Sequence, residues 1–287
     1  MPYTQIQYEE RGPIAVITLA RPEVRNAISL TMTQELDDAF NRACRSHSVR
    51  VMVLRADGDH FSSGHDLGSD AHMRDLAERS YHPGPAGDFE KWSEMDTEQC
   101  LRWRQLPKPL VCGIQGYCIY HATALAAVAD VVLAADDLRY MPSLIEYNSL
   151  PHEAGLNAKR CKEILFLQRL VFAEEAAQLG IANRVVPRAR LDDELMRLAT
   201  QIAKSDAFHL RMMKQMVNGA QEAAGIEAFA RAGLGHWTAF RWHAAATGAR
   251  LTRDHGGNTK RLAPVKEAES GEVLAFATEA SGRRSRL

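Results

Sequence analysis

The sequence predicts an α/β protein in which helices cover a largely parallel β-sheet. Two β-rich runs, at 6–8 and 14–19, are separated by a Gly-Pro turn and indicate a hairpin. A segment of helical periodicity and a buried strand at 49–54 follow, which together form a βαβ crossover. A second strand-helix-strand unit runs from Cys112 to Asp136. It is nearly uncharged, so we expect it to be buried on both sides.

Local signals predict the other elements in order. Ser29 is expected to cap a helix whose apolar residues recur at helical spacing. Those apolar residues are Met32, Leu36, Phe40 and Ala43. Residues 71–91 are polar and contain a His-Pro-Gly-Pro run, so we expect a mobile excursion there rather than core structure. Further predictions are a helix over 94–105, a strand over 110–114, a turn at 115–116, a helix over 121–129 and a strand over 131–134.

Composition limits the classes of function. The 287 residues are 46% hydrophobic and 25% charged, which suits one large domain or a domain with an appendage. The 35 basic and 36 acidic residues nearly balance, so neither nucleic acid nor an anionic membrane is an expected partner. Five cysteines without metal-type spacing indicate a reducing, cytoplasmic compartment. We expect no leader peptide, no membrane span and no metal site.

Two stretches carry polar residues where a ligand would be expected. The loop DGDHFSSGHDLGSD, at 57–70, follows a strand of the predicted sheet, where α/β folds tend to bind ligands. An ordinary surface loop is the alternative. His121 is the polar residue of an otherwise apolar turn and helix, and must have a reason to lie there. It is either a reacting group or a structural histidine hydrogen-bonded at the start of the helix.

Four segments in this order resemble the crotonase superfamily, also called the enoyl-CoA hydratase/isomerase family. They are NAISLTMTQEL, FSSGHDL, KPLVCGIQGYCIYHATALAAVADVVLAADD and AEEAAQLGIANRVVP with the amphipathic helix after it. The resemblance covers roughly 3–218 and implies a crotonase-like ββα spiral over 1–218. It further implies a helical oligomerisation region over 219–255, before a charged tail over 256–287. It implies an acyl-CoA substrate, with CoA entering as part of that substrate and no separate cofactor.

The resemblance also implies an oxyanion hole made by two backbone N–H groups. One belongs to His65, which follows Gly64, and the other to His121, in the turn after Gly116. Neighbouring residues of the first loop, Ser63, Asp66 and Leu67, are expected at the substrate, although Asp66 is expected chiefly to cap or brace the loop. Family members commonly have three glycines where this chain has Tyr120, His121 and Ala122. Tyr120 and His121 do not easily adopt positive φ, so we expect a reshaped pocket.

Acid and base groups depart further from the family pattern. Hydratases of the family use two glutamates, and the matching positions hold Ala124 and either Ser143 or Leu144. General acids and bases each contribute about 10² to 10⁴ in rate, so weak or absent hydration is expected. Candidate replacements are His121 and the loop carboxylates of Glu146 and Glu153.

Three functions remain open at this point. One is a crotonase-type lyase, isomerase or hydrolase of fatty acid metabolism that differs from a standard hydratase. Another is a retro-Claisen C–C hydrolase, because β-diketone hydrolases of this superfamily resemble the chain in having a histidine at the offset of His121. The last is a family member that binds acyl-CoA without turnover.

Binding of CoA and of other subunits is also implied by the resemblance. Arg21 and Arg25 lie where family members hold the nucleotide end of CoA, with ordinary surface arginine as the alternative. The aromatic-rich helices over 225–253 are expected to pack on a neighbouring subunit, which gives a homotrimer or hexamer; an intrachain core is the plain alternative. The tail arginines, Arg283, Arg284 and Arg286, are interpreted as solvated.

Overall fold

The computed structural model describes residues 2–78, 81–142 and 158–248, and two β-sheets organise them. In chain order the strands are β1 (Ile6–Arg11), β2 (Ile14–Leu19), β3 (Val51–Ala56), β4 (Leu110–Ile114), β5 (Tyr117–Tyr120), β6 (Val131–Ala135), β7 (Arg139–Pro142), β8 (Val171–Phe172) and β9 (Arg184–Val186). The larger sheet has the order β1-β2-β3-β4-β6-β9. All its neighbours are parallel except the β1-β2 hairpin. The predicted α/β fold with a largely parallel sheet is confirmed.

The centre of the larger sheet is buried, as its sequence predicts. Every residue of β2 and of β4 is buried, which a parallel sheet covered by helices requires. Leu195 of the later amphipathic helix packs against this sheet so closely that a Cβ on Gly113 would lie 2.3 Å from its Cδ1. The strand predicted over 110–114 is therefore found with those bounds.

A second sheet was not expected from the sequence. It has the order β5-β7-β8, with β5 and β7 parallel and β7 and β8 antiparallel. The segment YCIY, at 117–120, is a strand of this sheet and not simply part of a turn. Tyr and Ile favour strands, but four residues that directly follow a strand and a turn are too few to show a period. Arg139 N donates to Gly116 O (2.7 Å) at the start of the segment. The pairing is a tertiary feature that local propensity does not reveal.

The helices cover the sheets and extend past them. They are α1 (Leu30–Arg45), α2 (Asp70–Glu78), α3 (Pro85–Trp92), α4 (Glu98–Arg104), α5 (His121–Ala127), α6 (Ala158–Leu167), α7 (Ala173–Gln178), α8 (Leu191–Ile202), α9 (Ala207–Ala223) and α10 (Ile226–Thr247). The Ser29 cap is confirmed, because its Oγ accepts from Met32 N (3.1 Å) at the start of α1. One π-helical turn, Ser93–Thr97, joins α3 to α4 where a single helix over 94–105 was predicted.

The described part of 71–91, where a mobile excursion was expected, contains regular helices. Helices α2 and α3 occupy most of it. Helix α2 is tied to α1 because Asp75 Oδ2 accepts from the hydroxyl of Thr31 (2.7 Å). Helix α3 begins with Pro85 at its first turn and ends at Trp92, which is 4% exposed. Burial of this one large side chain anchors a segment whose polar composition predicts a loop.

The C-terminal helices use their apolar residues in two ways. Leu234 and Trp237 of α10 are buried against Trp92, so part of the aromatic face belongs to an intrachain cluster. Helix α9 instead exposes a row of large apolar side chains. These are Phe208, Met212, Met213, Met216 and Val217. The expected tail over 256–287 and the stretch 249–255 before it lie outside the described residues.

None of the helices described by the structure combines the length and the apolar character that crossing a membrane would require.

Candidate functional site

The loop after β3 and the turn before α5 lie against each other. Two isolated β-bridges hold the loop in place. One pairs His65 of the loop with Ile28, and the other pairs Ser62 of the loop with Cys118 of β5, just before the turn. A Cβ on Gly64, whose φ is +87°, would lie 2.8 Å from the carbonyl oxygen of Ile119 and 3.3 Å from the backbone nitrogen of His121. Glycine is therefore required for this approach. The two backbone groups expected to form an oxyanion hole, on His65 and His121, come from these two adjoining segments.

Tyr120 takes the strained conformation that orients this turn. Its φ is 54° and its ψ is −126°, a region that favours glycine, and it immediately precedes α5. Tyr120 adopts a positive φ that a tyrosine does not easily adopt, because the surrounding strand and helix impose it. Such a residue typically costs about 1–3 kcal/mol. His121 itself is the first residue of α5, as the expected role of its backbone N–H requires.

The His121 imidazole lies beside a buried carboxylate. Nδ1 of His121 is 2.9 Å from Oδ1 of Asp96, and the two side chains are only 1% and 2% exposed. Asp96 belongs to the π-helical turn between α3 and α4, which brings its side chain to the start of α5. When the imidazole is protonated, the two opposite charges attract each other far more strongly at this distance than an exposed pair does. The pair can take up a proton on the imidazole while the carboxylate stabilises the resulting charge.

His65 lies on the other side of His121. The two imidazole rings are stacked, with centroids 3.9 Å apart and planes within 10°. Trp92 then meets His65 edge-on, with centroids 4.8 Å apart. Burial lowers the pKa of His65 well below its usual value, and the neighbouring His121 lowers it further. His65 is therefore a neutral ring at physiological pH.

Three side chains place possible metal-ligand atoms within 4.8 Å of one another: those of His65, Asp96 and His121. Each imidazole directs its lone pair within its own ring plane, and the two planes are nearly parallel, with centroids 3.9 Å apart. Zinc requires both nitrogens at about 2.0–2.1 Å in tetrahedral directions. The stacked arrangement does not fit that geometry, although it does suit exchange of a proton with a neighbouring group.

The other residues expected at the substrate fall into two groups. Arg21 and Asp66 form a buried pair, Nη1 to Oδ2 at 2.9 Å, and Arg21 Nη1 also donates to Ala27 O (2.7 Å). Asp66 further accepts from the backbone and hydroxyl of Ser69, so its bracing of the loop is observed directly. This geometry occupies the Arg21 guanidinium within the protein and favours a bracing role over phosphate contact.

The second group is more exposed to solvent than the Arg21–Asp66 pair and consists of Arg25, Ser63 and Leu67. Arg25 has left-handed backbone geometry (φ 55°) and is partly buried, while Leu67 is 77% exposed beside the oxyanion loop. Ser63 N donates to Arg25 O (3.0 Å), which links the two segments. Gly116 has φ +49°, and a Cβ there would collide with Asp59 O at 2.2 Å. Gly116 is therefore required for the shape of the turn. A ligand contact remains a prediction for Arg25, Ser63 and Leu67.

The family glutamate positions contrast with this histidine cluster. Ala124 is fully buried in α5 and supplies no carboxylate. Ser143, Leu144, Glu146 and Glu153 lie outside the described residues.

Sequence reasoning missed Asp96 and Trp92. Asp96 was one acidic residue in a predicted helix, and its only distinguishing signal is that it would fall among apolar positions of that helix. Trp92 falls between the excursion predicted over 71–91 and the helix predicted over 94–105, although a tryptophan in a polar stretch is itself a sign of packing.

Comparison with known proteins agrees with this architecture. The family described as "Enoyl-CoA hydratase/isomerase" matches residues 9–234. A Mycobacterium tuberculosis protein named "Putative enoyl-CoA hydratase EchA13" is 32% identical over 252 residues, which cover 79% of this chain and 77% of that protein.

Solved structures give the same result. A probable enoyl-CoA hydratase from Mycobacterium smegmatis superposes with a TM-score of 0.77 at 34% identity, covering 85% of this chain and 96% of that one. One from Mycobacterium thermoresistibile gives a TM-score of 0.74 at 36% identity, covering 84% and 98%. The two sheets and C-terminal helices are those of the crotonase fold, and the chain belongs to the enoyl-CoA hydratase/isomerase family of the crotonase superfamily.

Proposed function

We propose that this protein is an enzyme acting on an acyl-CoA thioester, with His121 and Asp96 as its proton-transfer pair. The observation that carries the proposal is the enclosed contact of 2.9 Å between His121 Nδ1 and Asp96 Oδ1. It lies beside the segment in which Gly64 approaches the backbone of His121. Family membership and the paired backbone segments support the acyl-CoA substrate.

The chemistry requires three elements. The N–H groups of His65 and His121 would stabilise negative charge that develops on the thioester oxygen, an effect typically of about 10² to 10³ in rate for one donor. The His121 imidazole would accept a proton from the substrate or from a water, and Asp96 would stabilise the imidazolium that forms. His65, held neutral by burial, would add a flat, uncharged wall beside His121.

This arrangement differs from the two-glutamate route of standard hydratases. Ala124 supplies no carboxylate at the first position, which supports the proposal that water addition to a simple enoyl-CoA is slow or absent. Proton transfer at the carbon next to the thioester needs only one base, and His121 meets that need.

A retro-Claisen hydrolase is a second candidate, supported by the His121–Asp96 pair. His121 would deprotonate water, and the hydroxide would add to the carbonyl in the β position. The C–C bond then breaks, its electron pair forms an enolate held at the oxyanion site, and the imidazolium returns its proton to carbon. The β-carbonyl fragment leaves as a carboxylic acid, so the atoms and charges balance without an oxidant or a metal.

The test has a binding step and a chemical step. Saturated, enoyl and β-keto acyl-CoAs are compared by their shifts in melting temperature, because a ligand that binds only the native state must raise it. Each binder is then incubated with wild-type protein and with His121→Ala, and the products are identified by mass spectrometry.

The outcomes separate the candidates. Turnover lost in His121→Ala supports the proposal, and the product distinguishes isomer, hydrate and cleaved acid. Binding without turnover of any compound would leave only a non-catalytic acyl-CoA-binding role. Rapid hydration of crotonyl-CoA that survives His121→Ala would overturn the assignment of His121.

A further inference from the structure

The Trp92 ring is bordered by two cations. Lys91 Nζ lies 5.3 Å from the ring centroid, and the guanidinium carbon of Arg241 lies at the same distance. Arg241 also lies 5.9 Å from the ring centroid of Trp237. Lys91 and Trp92 end α3, whereas Arg241 comes from the last turns of α10. Two separate helices thus bring positive charge to one indole.

This indole is also in contact with the proposed reaction centre. Its ring meets that of His65 at 4.8 Å between centroids, and His65 stacks on His121. The backbone N–H of His65 is one of the two proposed oxyanion donors. A chain of rings therefore leads from the thioester site to Lys91 and Arg241.

Several polar atoms along this chain have no hydrogen-bond partner among the described residues. They are the indole Nε1 of Trp92 and of Trp237, Nδ1 of His72 and Nε of Arg241. Trp92 and Trp237 are 4% and 9% exposed, so water does not reach these donors freely. A buried donor left unpaired loses its hydrogen bonds to water without replacement, which makes several in one place a sign of a ligand that is to be bound.

The charges of the cluster are unbalanced. Within the described ranges the acidic partner of Arg241 is Asp88, at 3.7 Å, and Lys91 has no ion pair. The carboxylate of Asp96 is already engaged with His121. Burial lowers the pKa of Lys91 and the like charge of Arg241 lowers it further, while Asp88 opposes this shift without cancelling it. An anion placed between them would relieve this repulsion.

We propose that Lys91 and Arg241 bind a carboxylate at the far end of the acyl group, so that the substrate is the monothioester of a dicarboxylic acid with CoA. The indole N–H groups of Trp92 and Trp237 donate to the same group. The inference rests on the proposed function, because it places its ligand on the acyl-CoA bound there.

The experiment compares pairs of CoA esters that differ only in the terminal carboxylate. Glutaryl-CoA is matched with pentanoyl-CoA, and adipoyl-CoA with hexanoyl-CoA, with dissociation constants measured by titration calorimetry. The proteins are wild type, Lys91→Gln, Arg241→Gln and the control Arg197→Gln. Arg197 is an exposed arginine of α8 paired with Glu194, outside the Trp92 cluster.

We expect wild type to bind at least one carboxyacyl ester about tenfold more tightly than its match, the effect of one charge-assisted hydrogen bond in a shielded site. Lys91→Gln and Arg241→Gln should each lose most of this preference and keep their affinity for the uncharged esters, which also shows that they fold. Arg197→Gln should behave as wild type.

Equal or weaker binding of both carboxyacyl esters by wild type overturns the inference while leaving the acyl-CoA function in place. A preference that persists in Lys91→Gln and Arg241→Gln, or falls as much in Arg197→Gln, also overturns it. Failure of all four esters to bind removes the acyl-CoA function itself.

Discussion

The rings of His65 and His121 lie parallel with their centroids 3.9 Å apart, although 55 residues of chain separate the two histidines. The stack results from the close approach of Gly64 to the turn at Tyr120. It gives the two histidines different roles. His121 is next to the carboxylate of Asp96, whereas burial and the nearby charges of Lys91 and Arg241 lower the pKa of His65.

His121 and Asp96 should act as one unit. We expect His121→Ala to lower kcat/KM by about 10² to 10⁴, the usual contribution of a general base. Asp96→Asn should lower it by about tenfold or more, and the double variant should be no slower than His121→Ala alone. Steady-state kinetics with the best acyl-CoA from the binding panel measures this. Additive losses in the double variant would show that the two residues act independently.

The stability of the protein should fall as the pH drops below about 6.5, with His65 as one cause. Its pKa is lowered in the folded protein, so between the folded and unfolded pKa values the unfolded chain binds the extra proton. Each such proton changes the free energy of unfolding by up to about 1.4 kcal/mol per pH unit. His65→Phe keeps a ring in the stack and should show a smaller loss between pH 7 and pH 5 in urea titrations.

His82 provides the contrast for that experiment. It is exposed and its pKa is raised by the hydrogen bond with Glu90, so its stabilising effect is present at low pH and is lost as pH rises. His82→Gln should therefore not reduce the acid sensitivity. An unchanged pH dependence in His65→Phe would contradict the prediction.

Arg21 is expected to stabilise the oxyanion loop more than it binds CoA. Its side chain and that of Asp66 are 9% and 5% exposed, and removing one member of a buried pair costs about 3–5 kcal/mol. Arg21→Met should lower the free energy of unfolding by an amount of this order. Burial raises the pKa of Asp66, but its hydrogen bonds, of which those from Ser69 have the largest effect, lower the pKa overall. The bonds from Ser69 do not involve Arg21, so they should still hold the loop in Arg21→Met. Normal stability with weakened CoA binding would instead indicate direct phosphate contact.

Gly64→Ala should remove activity. The new Cβ would lie 2.8 Å from Ile119 O at a φ of +87°, which strains the loop by about 1–3 kcal/mol and displaces an oxyanion donor. We expect turnover to fall by at least about 10². Gly219→Ala is the matched control, because nothing lies within 4 Å of the added Cβ and the position is inside α9. The control should be more stable by about 0.5–1 kcal/mol and fully active.

The exposed row on α9 should be an interface between subunits. Met216 is 71% exposed and Phe208 is 67% exposed, eight residues apart on one side of the helix. Light scattering coupled to size exclusion should give three or six times the mass of one chain. Met216→Glu should reduce that mass, whereas Met73→Glu, which replaces another exposed methionine on α2, should not. A monomeric wild-type protein would refute the trimer prediction.

Much of the fold follows from local patterns in the sequence. The β1-β2 hairpin, the Ser29 cap and the strand at Leu110–Ile114 were each predicted from neighbouring residues, because caps, turns and buried runs are local features. The pairing of β5 with β7, and the burial of Trp92 that anchors α3, depend on contacts with other parts of the chain.

The sequence by itself determined the family segments, the absence of a carboxylate at Ala124 and the presence of histidines at 65 and 121. Only the tertiary structure decided which of the 36 acidic residues would stand beside His121, because the π-helical turn at Ser93–Thr97 sets the direction of Asp96. It likewise decided that Lys91 and Arg241 would meet at one indole. Proton transfer and ligand charge depend on separations of a few ångströms, and those separations arise when distant segments pack together.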